Sequence, residues 1–244
     1  MKEKEYRLMV IGAHAGDEEI MAGTICHRYS ARGHKVHFLS LTAGDAGHPF
    51  IRREEYSPQK CREAMEAASI LGATRTIFPY IDALLPTSRE VQENIAREIR
   101  AFRPDTIITH WRGSIHKDHV AAYFNTKYAI KLAADKEFIT DEEPFKVKQC
   151  FFGDNIEDPK EFQANIIVES DEEDEAAWKA ACETYEMVRE SFYNFEYIRY
   201  YQALHIVRGQ LSGKKYRYGC GLMRDVGFSH VASERGNSIP GLEL

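Results

Sequence analysis

Apolar positions along the first half of the chain alternate between two rhythms. Short continuous apolar runs, Arg7 to Ala13 (RLMVIGA), Val36 to Thr42 (VHFLSLT), Thr76 to Tyr80 and Asp105 to His110 (DTIITH), have the length and side-chain type of buried strands. Between them lie stretches with helical spacing and helical punctuation: Glu18 to Arg32 closed by Gly33, Arg62 to Leu71 ended by Gly72, Ser88 to Phe102 stopped before Pro104, and Asp118 to Ala134. Strand-helix alternation buries each strand on both faces. It predicts an α/β fold, a Rossmann-like, doubly wound, mostly parallel sheet with helices on both sides.

The second half is less regular. Val147 to Gly153 reads as a fifth strand and Asn165 to Val168 as a sixth, while HIVRG, which contains Arg208, is strand-like. Ser170-Asp171-Glu172-Glu173 fits a capping box and opens a helix that places Trp178, Ala181, Cys182, Tyr185 and Val188 on one face. With no repeat, low-complexity segment or Ser/Gly linker, residues 1–244 read as a single domain. Its core spans about 7–135, followed by a less regular extension.

Composition narrows the partners. Hydrophobic residues make up 43% and charged residues 29%, ordinary for a packed protein, and the net charge of -6 with scattered Lys and Arg argues against nucleic acid. The first five residues alternate charge rather than forming a signal-peptide core, and no apolar run approaches the ~20 residues that span a bilayer, so a cytoplasmic location with no membrane contact is expected. Cys26, Cys61, Cys150, Cys182 and Cys220 lack any Cys-x-x-Cys pairing and read as reduced, buried small hydrophobes.

Two clusters carry candidate chemistry: Ala13-His14-Ala15-Gly16-Asp17-Glu18-Glu19 after strand one, and Ile115-His116-Lys117-Asp118-His119 after strand four. In a doubly wound sheet of order 3-2-1-4-5 those strand ends are neighbours where the winding reverses, and the crevice above that point binds ligands. Two His plus one carboxylate is a zinc ligand set that leaves a position for water, although iron or manganese suits the same donors. Each cluster alone could be a solvated helix face. Their predicted adjacency favours a metal site.

VIGAHAGDEEIMAGTICHRYSARGHKVHFLSLTAGDAG resembles the opening of the LmbE-like, or PIG-L, deacetylases, whose first motif is Ala-His-Pro-Asp-Asp-Glu, and SIHKDHVAAY resembles their His-Pro-Asp-His motif. KCREAMEAASILGA is similar to the family's basic-x-x-Glu helix, and FPYIDALL to its Asp-Gly turn, with Asp82 kept and Ala83 in place of Gly. The resemblance covers about residues 7–135. It implies zinc, or another divalent metal, on His14, Asp17 and His119, with His116 stabilising the oxyanion or protonating the leaving amine and Asp118 orienting an imidazole. Asp82 falls where the family faces its substrate, and Arg208 where the family often places a substrate-facing basic residue, with a surface salt bridge as the equal alternative. The implied reaction is hydrolysis of the N-acetyl group of a small amino-sugar-type substrate.

The chain departs from the family at Gly16, where the family has the Asp that deprotonates the attacking water. Losing a general base costs about 10²- to 10⁴-fold in rate, roughly 3 to 5 kcal/mol. Asp45, on the loop after strand two, is the first candidate to replace it, with the alternatives of slow turnover through His116 alone and of a metal-bearing ligand-binding protein. Arg52 and Arg53 on the same loop are candidate contacts to substrate hydroxyls. The aromatic run 192–201 suits a sugar-lining wall or a contact between copies of the chain, which leaves a homo-oligomer open. No Gly-x-Gly-x-x-Gly and no Gly-x-Ser-x-Gly is present, against a dinucleotide enzyme and a serine hydrolase.

Overall fold

The computed structural model describes residues 4–214 and 216–225. One seven-stranded sheet runs in the order β3-β2-β1-β4-β5-β7-β6. The strands are β1 (Arg7–His14), β2 (Lys35–Thr42), β3 (Ala73–Tyr80), β4 (Thr106–Thr109), β5 (Gln149–Gly153), β6 (Ile166–Ser170) and β7 (Tyr218–Arg224). β1 to β5 are mutually parallel where they pair, and β7 is antiparallel to both β5 and β6. The expected 3-2-1-4-5 order holds, with an antiparallel pair added at one edge.

Alternating side chains of the central strands feed two cores. Leu8, Val10, Phe38, Ile108 and Phe151 face the layer of α1 (Asp17–Ala31), α2 (Arg53–Ile70) and α5 (Glu172–Cys182), whereas Met9, Ile11, Leu39 and Ile107 face α3 (Arg89–Phe102) and α4 (Lys117–Ala133). Burial on both sides explains why these strands read as unbroken apolar runs. Gly23 on α1 lets the indole of Trp178 on α5 approach so closely that an added Cβ would lie 2.6 Å from a ring carbon. The Trp178 indole is fully buried and donates to the carbonyl of Glu19.

Several boundaries differ from the sequence reading. α2 begins at Arg53 rather than Arg62, with Pro58 inside its opening turns. The capping box is centred one residue later: Asp171 accepts from the amides of Glu173 and Asp174, and Asp174 returns the bond to the Asp171 amide. HIVRG is helical, not a strand, because it belongs to α7 (Tyr197–Leu211), whose buried positions Tyr201, His205 and Gly209 recur every fourth residue. Between α5 and α7 lies the single turn α6 (Glu186–Arg189).

Candidate metal centre

His14 is the last residue of β1, and His110 immediately follows β4, its parallel neighbour. The chain then turns at Gly16, whose φ of 118° lies in the region that disfavours side chains, and enters α1 with Asp17. From the β4 side, His116 caps α4: its Nδ1 accepts from the Asp118 amide at 3.2 Å, which leaves Nε2 as the protonated nitrogen of the neutral ring. Asp118 and His119 occupy the first turn and are buried. A third contribution comes from the loop after β5. There the Ile156 amide donates to Tyr201 Oη, and the carbonyl of Glu157 accepts from Ile115 and Ser114, which fixes Glu157 and Asp158 against the other two segments.

These segments converge. Asp17 Oδ2 lies 3.2 Å from His14 Nδ1, 3.1 Å from His110 Nε2 and 3.6 Å from His119 Nε2. His14, His116 and His119 present ring nitrogens within 4.8 Å of one another, and Asp17, His110 and His119 form a second such trio. The other His14 nitrogen, Nε2, sits 3.1 Å from Asp82 and 3.4 Å from Asp118, which favours its proton there and the lone pair on Nδ1 toward Asp17. Asp158 is fully buried and takes one imidazole on each oxygen, His110 at 3.0 Å and His119 at 2.9 Å, both through Nδ1. His119 Nε2 therefore carries a lone pair, is buried, and has no hydrogen-bond partner among the described residues.

The electrostatics match the geometry. Burial opposes charge on His110, but Asp17 and Asp158 outweigh it and raise its pKa to about 10. Burial and the adjacent His110, whose ring stacks on it at 3.8 Å, lower His119 and keep it neutral. Burial also resists ionisation of Asp17, yet His119 and His110 hold it well below the usual carboxylate range. Burial opposes charge on His14 as well, but Asp118, Asp17 and Asp82 outweigh it and raise the His14 pKa well above its ordinary value. The carboxylates of Asp17, Asp82, Asp118 and Asp158 around the cationic imidazoles of His14 and His110 still leave an excess of negative charge, and the donors are imidazole nitrogen and carboxylate oxygen. Such a set fits a borderline divalent cation.

The cluster floors a cavity of about 520 Å³, a normal size for a small-molecule site. Its lining includes His14, Gly16, Asp17, Lys60, Asp82, His116, Glu157, Tyr185, Tyr193 and Tyr197. Glu157 Oε2 is 3.5 Å from His119 Nε2, and its side chain is 41% exposed. Asp45 is buried outside this lining, Arg52 is exposed at the N-cap of α2, Arg53 lies beside Glu54, and Arg208 is paired with Asp154 at 2.6 Å. The structure thus brings together His14, Asp17, Asp82, His116, Asp118 and His119 but not Asp45, Arg52, Arg53 or Arg208. The aromatic run divides, with Tyr193 and Tyr197 on the cavity wall and Tyr201 in the core.

Sequence reasoning missed His110, Asp158 and Glu157. His110 was visible as the polar end of strand four, at the same sheet edge as His14. Asp158 and Glu157 carry no motif spacing; their only signal is position on the loop that leaves strand five, next to strand four.

Under the sheet edge, Arg75 pairs with Glu18 at 3.1 Å and Glu19 at 2.8 Å, all three side chains fully buried. Burial, with Glu19 and Asp17 adding to it against Arg75, pushes Glu18 up to about 7. These acids brace the start of α1 rather than face the cavity.

A doubly wound sheet with His and Asp side chains gathered at its switch point defines an α/β protein with a candidate divalent-metal site at the carboxyl ends of β1 and β4. The chain belongs to the PIG-L family: the family model described as GlcNAc-PI de-N-acetylase matches residues 9–130, half of the sequence. It is 27% identical to the mycothiol S-conjugate amidase of Streptomyces coelicolor over 54% of each chain, so it matches little more than half the length of that relative. Among solved structures it superposes on the 4-carboxy-2-hydroxymuconate hydratase of Pseudomonas putida with a TM-score of 0.80 and 18% identity, covering 93% of this chain and 98% of that one. It also superposes on the N,N'-diacetylchitobiose deacetylase of Pyrococcus horikoshii with a TM-score of 0.76 and 19% identity, covering 95% and 88%. At these identities the two likenesses establish the fold alone.

Proposed function

We propose that the protein is a zinc-dependent, or other divalent-metal-dependent, hydrolase that removes the acetyl group from an N-acetylated amino sugar or a related small amide. The observation that carries this reading is His119 Nε2, a buried nitrogen lone pair without a partner, facing Asp17 and held in that tautomer by Asp158. His14, Asp17 and His119 would hold the ion, drawn from the two donor trios that share His119. When bound, such an ion polarises a carbonyl oxygen and lowers the pKa of water, which is what amide hydrolysis requires.

The remaining steps belong to the chain's own side chains. Asp118 and Asp82 orient His14 through Nε2. His116 donates a hydrogen bond from Nε2 to the developing oxyanion, with its ring edge-on to His14 at 4.6 Å, and the leaving amine receives the proton that Glu157 has taken from the attacking water. The proton of the attacking water goes to Glu157, the cavity carboxylate nearest His119 that is neither buried nor bonded to an imidazole of the cluster at close range. Glu157 takes this role in preference to Asp45, because only Glu157 lines the cavity. Tyr193 and Tyr197 give the sugar an apolar wall with polar tips.

The family name and the amidase relative support this substrate class. Strands from residue 7 to residue 224 share one sheet, which supports a single domain across the described residues. No described helix is long and apolar enough to cross a membrane, in keeping with a small-molecule substrate met in solution. The test is zinc content together with hydrolysis of N-acetylglucosamine-type amides. About one ion per chain and chelator-sensitive release of acetate support the reading, and bound metal with no turnover across a broad amide panel leaves a metal-bearing binding protein instead.

A further inference from the structure

Lys60 is the cavity-lining group that the proposed chemistry leaves unused. It projects from α2, is only 7% exposed, and has neither an ion pair nor a hydrogen bond among the described residues. Its ammonium lies over the Tyr185 ring, 4.1 Å from the centroid. It is also the atom nearest the empty position beside Gly16: a Cβ built there would meet Lys60 Nζ at 3.7 Å and the Tyr185 ring at 3.8 Å. The Tyr185 hydroxyl is already committed to Arg75 and Glu19, so it supplies no counter-charge. Burial holds the Lys60 pKa below its ordinary value, and Glu63, Glu19 and Asp17 oppose that shift only through space; an ammonium buried with no anion in contact is costly, and the cost is recovered when a ligand brings one.

The geometry points to an anion subsite built from Lys60 and the space over Gly16, next to the metal-ligand cluster, which takes a carboxylate carried by the substrate. This deepens the hydrolase reading and rests on it: the amide cleaved is one whose acyl or amine half bears a carboxylate close to the scissile bond, as in an N-acylated amino acid or amino-sugar acid. A side chain at position 16 would fill the space and, if acidic, neutralise Lys60. Glycine there leaves both the room and the charge.

The test uses two probes that share an acetamide and differ in one carboxylate, N-acetylglycine and N-acetylglycinamide, titrated calorimetrically into the zinc-loaded protein. A charge-assisted hydrogen bond in a buried site corresponds to a preference of about tenfold or more for the acid. Lys60→Met abolishes that preference with zinc stoichiometry and melting temperature retained, and Lys60→Arg preserves it; Lys60→Gln gives the same readout if Met is not tolerated. A preference that persists without Lys60 means the metal holds the carboxylate, and it overturns the subsite, as does a wild-type protein with no preference. Hydrolysis is scored separately. Acid preference without amide cleavage upholds the subsite while removing the hydrolase reading, and cleavage of neutral amides with no acid preference does the reverse.

Discussion

Replacing Asp158 by Asn changes the site without changing its shape. Each carboxylate oxygen of Asp158 accepts one Nδ1 proton, from His110 at 3.0 Å and His119 at 2.9 Å, in a fully buried position. Asn keeps one acceptor and turns the other into an NH₂ donor. Whichever imidazole faces the NH₂ must give up its Nδ1 proton, the neutral His119 by shifting it to Nε2 and the cationic His110 by losing it. If that ring is His119, the lone pair directed at Asp17 is lost; if it is His110, the cation stacked on His119 becomes neutral. Partners of this kind orient metal-binding imidazoles, and their loss weakens metal affinity by about 10- to 100-fold, roughly 1.4 to 2.8 kcal/mol. Competition of zinc between the protein and a fluorescent chelator measures this directly, with thermal melting of the metal-free protein as a check on folding. Wild-type zinc affinity in a folded Asp158→Asn protein would refute the tautomer reasoning.

Further outcomes follow from the same structure. Glu157→Gln lowers kcat by at least about 10²-fold at unchanged zinc content, while Asp45→Asn stays within severalfold of wild type; steady-state acetate release compares the two, and the reverse order would return the base to Asp45. Arg75→Met leaves Glu18 and Glu19 buried without their cation and destabilises the fold by about 3 to 5 kcal/mol in urea unfolding. Burial and then Arg75 hold His37 down to about 4, below its ordinary 6.5, so it binds its proton more readily unfolded than folded. Its contribution is complete above pH 6.5 and is lost as pH falls toward 4, up to about 3 kcal/mol, and His37→Gln flattens that acid limb of the unfolding midpoint. Trp178→Ala opens a cavity between α1 and α5 and costs about 3 to 5 kcal/mol, read as a drop in melting temperature.

Strands β1 to β4 were legible because burial on both faces turns them into continuous apolar runs, and the meeting of His14 with His119 followed from their order. The C-terminal elements hid for opposite reasons. α7 turns Tyr201, His205 and Gly209 inward, so its buried face is barely apolar and its β-branched residues lie partly exposed, which gives it the look of a strand. β7 (YGCGLMR) carries two glycines and no β-branched residue, which weakens the usual strand signal. Pro58, the sixth residue of α2, masked its first turns, because proline there forfeits the bond to the Glu54 carbonyl and reads as a break. At the site, motif spacing found the residues on the two helix-opening turns, whereas Asp158 and Glu157 depend on a loop whose path is set by tertiary contacts with Tyr201, Ser114 and Ile115.

The most direct measurement is an anomalous-difference map from crystals grown with zinc. A single strong peak about 2.0 to 2.2 Å from one nitrogen each of His14 and His119 and from an Asp17 oxygen is the result predicted. A protein that takes up no zinc, or a peak that leaves His119 Nε2 uncoordinated, would contradict the metal centre and the chemistry built on it.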